Sequence, residues 1–99
     1  MTKVANCRAS WHIRGLKEFS NYTGTLFGKK VGRHGYAVYS YGPHFPLAFH
    51  NGKFWLLNTE RYSQTTSKQS GICREACVDW VGCDTAFIIN AIDTAENLQ

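Results

Sequence analysis

Four sets of residues in this 99-residue chain have the types and spacing to do chemistry. Cys73 and Cys77 stand four apart, Cys83 follows six later, and Cys7 lies far off. Zinc sites bring two close pairs of ligands together. The second pair is missing here, so buried core thiols are expected. A metal or redox site completed by Cys7 or Cys83 and a histidine is the alternative. His34, His44 and His50 cluster in sequence and have the pKa range of a general base. No nucleophile elbow, acidic dyad or H-x-H pair accompanies them, and only Glu18 and Glu60 precede residue 75. Turn or surface histidines in a non-enzymatic protein without a cofactor are the expectation.

Gly24, Gly28, Gly32 and Gly35 alternate with Lys29, Lys30 and Arg33. That spacing predicts a mobile loop whose backbone amides face an anion. Gly24-Thr25-Leu26-Phe27-Gly28-Lys29-Lys30 is not a nucleotide-binding P-loop. It has three residues between its glycines instead of four, and Lys30 stands where a magnesium-binding Ser or Thr belongs. Further on, Arg61, Tyr62, Ser63, Thr65, Thr66, Ser67 and Lys68 concentrate hydroxyl and cationic donors. Thr66 with Gln69 fits a capping box, which puts these donors at a helix start where anions bind readily. Capping alone is the plainer use of the same hydroxyls. A ligand or partner surface is therefore expected from Lys29, Lys30, Arg33, His44, Arg61, Tyr62, Thr65, Thr66, Ser67 and Lys68.

The elements that must position these residues are clearest in the middle third. Tyr36–Tyr41 alternates as a strand, with Tyr36, Val38 and Ser40 on one face and Ala37, Tyr39 and Tyr41 on the other. Gly42-Pro43 ends it, and Phe45–His50 forms a second strand in which Pro46 marks an edge or bulge. Asn51-Gly52 predicts a type I′ hairpin turn into a third strand, Lys53–Asn58. A helix follows Thr66, with Ile72, Ala76 and Trp80 as its stripe, Cys73, Cys77 and Val81 beside it, and Gly82 as its stop. Asp84 or Thr85 caps a second helix carrying Phe87, Ile88, Ala91, Ile92 and Ala95; a strand through Phe87-Ile88-Ile89 competes with it. Residues 1–33 give only Trp11, Ile13, Leu16 and Phe19 as apolar anchors, in a strand followed by a short helical turn. The fold class is α+β: one domain over residues 1–99, an antiparallel meander of three or more strands with one or two helices on one face.

Composition limits the partners. The chain is 43% hydrophobic and 14% aromatic, which is that of a folded domain rather than a disordered one. No apolar run approaches the roughly 18–20 residues a membrane span needs. Met1-Thr2-Lys3-Val4-Ala5-Asn6 leads into Cys7-Arg8 instead of an apolar stretch, so a cytoplasmic protein with no membrane partner is expected. All eleven Lys and Arg lie in residues 1–74, where the balance is +9. Residues 75–99 carry Glu75, Asp79, Asp84, Asp93 and Glu96 with no basic residue, a balance of −5. Such a dipolar surface suits nucleic acid, a nucleotide or an acidic protein. The strand aromatics could stack bases on an exposed sheet face, or line a homodimer interface.

Two stretches carry a likeness. Tyr39-Ser40-Tyr41-Gly42-Pro43-His44-Phe45-Pro46-Leu47-Ala48 and Asn58–Lys68 resemble small phage- and prophage-encoded proteins of a domain family without assigned function. Their pattern is S-Y-x-T-P-I/L-A, an aromatic second strand, then K/R-Y-S-x-T-T-S-K-H-Q-S. The likeness spans about residues 36–72, and the pattern's histidine after the lysine is absent, since Gln69 follows Lys68. It implies phage biology and a meander-plus-helix layout, and no activity. The resulting expectation is a non-enzymatic, anti-defence or host-takeover protein in the host cytoplasm. Its partner would be a host protein, a defence complex or a nucleotide-type ligand, with a nucleic-acid-binding accessory role as the alternative.

Overall fold

Strand side chains alternate between faces, so a strand apolar on both faces must be covered on both. Tyr36-Ala37-Val38-Tyr39 is such a strand, and the fold follows from burying it twice. The computed structural model describes residues 2–22, 24–40, 45–60, 73, 77 and 79–97. Among these residues seven strands form one sheet in chain order: β1 (Thr2–Val4), β2 (Phe19–Asn21), β3 (Leu26–Val31), β4 (Gly35–Ser40), β5 (Pro46–His50), β6 (Trp55–Asn58) and β7 (Val81–Cys83). Neighbours from β2 to β6 are antiparallel, whereas β1–β2 and β6–β7 are parallel. Helix α1 (Asn6–Arg14) makes the first parallel connection, and α2 (Thr85–Asn97) follows β7.

The class is α+β, with two corrections. The sheet is mixed rather than a pure meander, and its faces are both covered. On one face Ala9 and Ile13 of α1 pack with Phe19, Leu26, Tyr36, Val38, Trp55, Leu57, Cys73 and Cys77. On the other, Ile88 and Ile92 of α2 pack on Val31, Ala37, Tyr39, Phe49 and Leu56. Two-faced covering leaves Tyr36, Tyr39, Phe49 and Trp55 almost inaccessible. No base-stacking platform exists on these four.

Local chemistry explains the other departures. The chain does open with a strand and then a helix, at residues 2–4 and 6–14, but the helix is nine residues long and carries Trp11 and Ile13, and a further strand at 19–21 carries Phe19. The signal missed is the i, i+4 pair Ala9 and Ile13, both fully buried. The helix ends in a Schellman motif: the Leu16 amide donates to the Ile13 carbonyl and the Lys17 amide to that of His12. Leu16, not Gly15, takes the left-handed φ of 55°.

The expected glycine–basic loop is instead the β3–β4 hairpin, with Lys29 and Lys30 inside β3. Glycine is required at position 28 because the Tyr36 hydroxyl and the Phe19 ring lie over it. That hydroxyl donates to the Lys17 carbonyl at 2.7 Å.

In the meander, Pro46 opens β5 where the register shifts between Val38 and Tyr39. Val38 pairs with Ala48 and Tyr39 with Pro46, which leaves Leu47 as the extra residue of a bulge. Leu47 and Ala48 consequently both join the α1-side core. The Asn51-Gly52 turn is real but not type I′. Only Gly52 has positive φ (96°), and the Asn51 carboxamide oxygen accepts from the Lys53 and Phe54 amides at 2.9 and 3.0 Å. Asn51 thus closes the turn through its side chain.

The helix expected to run to Val81 stops earlier. Cys73 is helical and the Cys77 amide donates to its carbonyl, but Asp79 has φ 55° and Val81–Cys83 pairs with β6. Trp80 and Val81 are therefore exposed rather than part of a buried stripe. Aspartate tolerates the left-handed conformation that redirects the chain. Ile72, Ala76 and the proposed capping box lie outside the described residues. No described helix is long and apolar enough to cross a membrane.

Candidate functional site

The second helix forms as the sequence suggests. The Asp84 carboxylate accepts from the Phe87 amide at 2.8 Å, and Glu60 accepts from the Thr85 amide at 3.1 Å. The chain's own carboxylates thus occupy the start of α2. Buried Asn58 locks this end to the sheet. Its amide nitrogen donates to the Pro46 carbonyl at 2.8 Å and to the Thr85 hydroxyl at 2.9 Å, while its oxygen accepts from the Glu60 amide at 2.9 Å.

Among the described residues α2 is the one helix on this face, and it is too narrow to cover it. Seven strands about 4.8 Å apart span roughly 29 Å, whereas a helix with its side chains is about 10–12 Å across. Beside α2, over β6 and β7, the uncovered strip forms a groove of about 660 Å³. Leu56 is its floor, Phe87 and Ala91 one wall, and Phe54 and Val81 the other. Phe87 is 57% exposed, Val81 51% and Phe54 40%, so three large apolar side chains rim one depression. The groove continues along α2 past Asn51, Asn90 and Thr94 to Ala95, where Arg33 and His34 border its far end. Asp84 lies at the near end. The long axis therefore runs from an acidic end, through an apolar centre edged by carboxamides, to a basic end.

The residues expected to form a basic surface are distributed differently. Successive positions in β3 place Lys29 on the α2 face and Lys30 on the α1 face. The Lys29 ammonium lies 5.4 Å from the Tyr39 ring centroid, in a small recess shared with Asp93 and Glu96. Burial, helped by Glu96 and Asp93, pushes the Tyr39 hydroxyl up to about 12. The Lys30 amide donates to the Glu18 carboxylate at 3.1 Å. Arg33 sits on the turn between β3 and β4 and is the one described member of the set that reaches the groove. His44, Arg61, Tyr62, Thr65, Thr66, Ser67 and Lys68 lie outside the described residues.

Cys73 and Cys77 are both buried, and burial raises their thiol pKa values, Cys77 to about 12. Neutral thiols of this kind are core groups, poor as nucleophiles or metal ligands. Among the described residues no three His, Cys, Asp or Glu side chains come together as a metal site. The groove is hidden from sequence reasoning because the pattern puts Phe87 on a helix's buried stripe and Val81 in a helix. Its only advance sign was Phe54 beside the Asn51-Gly52 turn.

His50 ties pH to this end of the molecule. Its Nδ1 accepts from the Gly52 amide at 3.1 Å, and its ring packs edge-on to Trp55 at 4.9 Å. Burial lowers its pKa below the ordinary 6.5. The unfolded chain then binds the proton more readily, so this contribution is complete above about pH 6.5 and is lost as pH falls through the lower, folded value. Urea melts at about pH 7.5 and about pH 5 should show a loss of stability on acidification that is smaller in His50→Gln. An unchanged difference would exclude His50 as its source.

No family model, curated protein or solved structure matches the chain.

Proposed function

We propose that this is a phage-encoded binding protein with no reaction of its own, which takes an extended segment of a host protein into the groove beside α2. The carrying observation is that Phe54, Val81 and Phe87 are exposed around one apolar depression. Apolar patches rimmed by polar groups mark interaction sites, and a concave, apolar site with a few placed polar groups is what recognition needs. From Phe87 to Ala95 the groove follows α2 for about 12 Å, the length of roughly four extended residues. The end charges favour a segment with an apolar anchor, a basic residue toward Asp84 and an acidic one toward Arg33. The Asn51 and Asn90 side chains border the path of its backbone. The phage resemblance supports a host protein, in the host cytoplasm, as its source.

A displayed library of random peptides, selected on the wild-type protein, tests this. Enriched peptides should share an apolar anchor and lose at least about tenfold in affinity, some 1.4 kcal/mol, on Phe87→Ser or Val81→Ser. Peptides indifferent to both substitutions would place the binding surface elsewhere. Self-association abolished by Phe87→Ser would make a second copy the occupant instead.

A further inference from the structure

The outer face of α1 is chemically unlike the groove. Ala9 and Ile13 are fully buried against the sheet and fix which side of the helix faces inward. At about 100° per residue, Trp11 falls opposite that stripe, and Arg8 and Arg14 flank it about 60° to either side. Trp11 is 66% exposed and is the largest side chain on this surface. The Arg8 guanidinium carbon lies 5.7 Å from its ring centroid. Exposed Lys17 follows the helix, and no acidic residue precedes Glu18. Glu18 itself accepts the Lys30 amide, which keeps its carboxylate on β3.

An exposed tryptophan between two arginines, on a stretch without an acid, presents an aromatic plane and anion-binding forks together. We infer that this face binds single-stranded nucleic acid, with an unpaired base stacked on Trp11 and the flanking phosphates held by Arg8, Arg14 and Lys17. Stacking on an aromatic side chain, with arginines tracking the backbone, is the physical basis of sequence-tolerant single-strand binding. The two arginines are six residues apart, about 9 Å along the axis, so they reach phosphates on either side of one stacked base. A duplex keeps its base faces in the stack and offers Trp11 nothing to cover. The surface is separate from the groove, so either can fail without the other.

Fluorescence anisotropy with labelled DNA and RNA oligonucleotides of about 12 nucleotides, single- and double-stranded, reads this directly. Single strands should bind more tightly than duplexes. Trp11→Ala should weaken them at least about fivefold, the low end of a stacked base, and Trp11→Phe should restore most of the loss. Arg8→Ala with Arg14→Ala should reduce the slope of log affinity on log salt for single strands by about 1.4. All three positions point to solvent, so melting temperatures serve as the folding control. Absence of single-strand binding at low salt, or binding that Trp11→Ala leaves unchanged, would overturn the assignment. So would Trp11-dependent capture of polyglutamate in preference to oligonucleotides, which would make the partner an acidic protein.

Discussion

Replacing Gly32 with alanine is expected to cost about 3–4 kcal/mol, a large share of the roughly 5–15 kcal/mol that holds a domain together. Two independent effects add at this position. Gly32 has φ +60°, where a side chain costs about 1–2 kcal/mol. A Cβ there would also collide with the Ala95 carbonyl oxygen, with the carbonyl carbon at 3.0 Å. Backbone cannot rotate aside as a side chain can, so the last turn of α2 must lift off the β3–β4 turn. Forced overpacking costs about 1–3 kcal/mol. For a domain of this size the fall in Tm is about 4–8 °C per kcal/mol, which puts Gly32→Ala some 12–30 °C below wild type. Asparagine tolerates the left-handed region but keeps a Cβ, so Gly32→Asn should recover only part of the loss. Full recovery by asparagine would show that α2 yields freely and that backbone conformation alone matters.

The second large effect belongs to Gly28, in the middle of β3. A Cβ there would collide with the Tyr36 hydroxyl and meet the Phe19 ring at 2.8 Å, both on buried side chains. The Tyr36 ring has no room to swing, because its hydroxyl is held by the Lys17 carbonyl and its ring packs edge-on to Trp55. Gly28→Ala should therefore cost about 2–4 kcal/mol, from overpacking and the displaced hydrogen bond together. Tyr36→Phe alone should cost about 1 kcal/mol, the ordinary worth of the bond it removes. Combined, the two should be less harmful than their sum by about 1 kcal/mol, since removing the oxygen makes room for the methyl. Strict additivity in urea melts would mean that the clash is taken up elsewhere.

These two glycines also show what was legible in the sequence. Their spacing among Lys29, Lys30 and Arg33 suggested backbone open to an anion, whereas each glycine is there because another part of the chain approaches it. Local pattern cannot distinguish those reasons, since the approaching atoms belong to Tyr36, Phe19 and Ala95. Where a signal was local it was readable. The alternation of Tyr36–Tyr39, the turn at Asn51-Gly52, the bulge at Pro46 and the cap at Asp84 all depend on near neighbours. Failures came where tertiary contact chose between two acceptable local structures. Val81 extends a helical stripe that ends at Gly82 as readily as it opens a strand, and the pairing of Val81–Cys83 with β6 decides for the strand. Trp11 reads as a core anchor because it is large and apolar, yet the smaller Ala9 fills that role. The groove was illegible for a related reason: among the described residues one helix lies across a face of the sheet wider than itself.

The position of α2 has a consequence for how the protein is made. Every strand it covers is translated before it, and β7 immediately before. A nascent chain therefore carries a finished β2–β6 meander whose Ala37, Tyr39 and Phe49 face is still bare. Antiparallel neighbours form from local contacts, while the parallel β6–β7 pairing must wait for some twenty further residues. During that interval the exposed apolar face and the open edge of β6 are both available to other chains. The helix beside which the groove lies is thus also the element whose late arrival covers the Ala37, Tyr39 and Phe49 face.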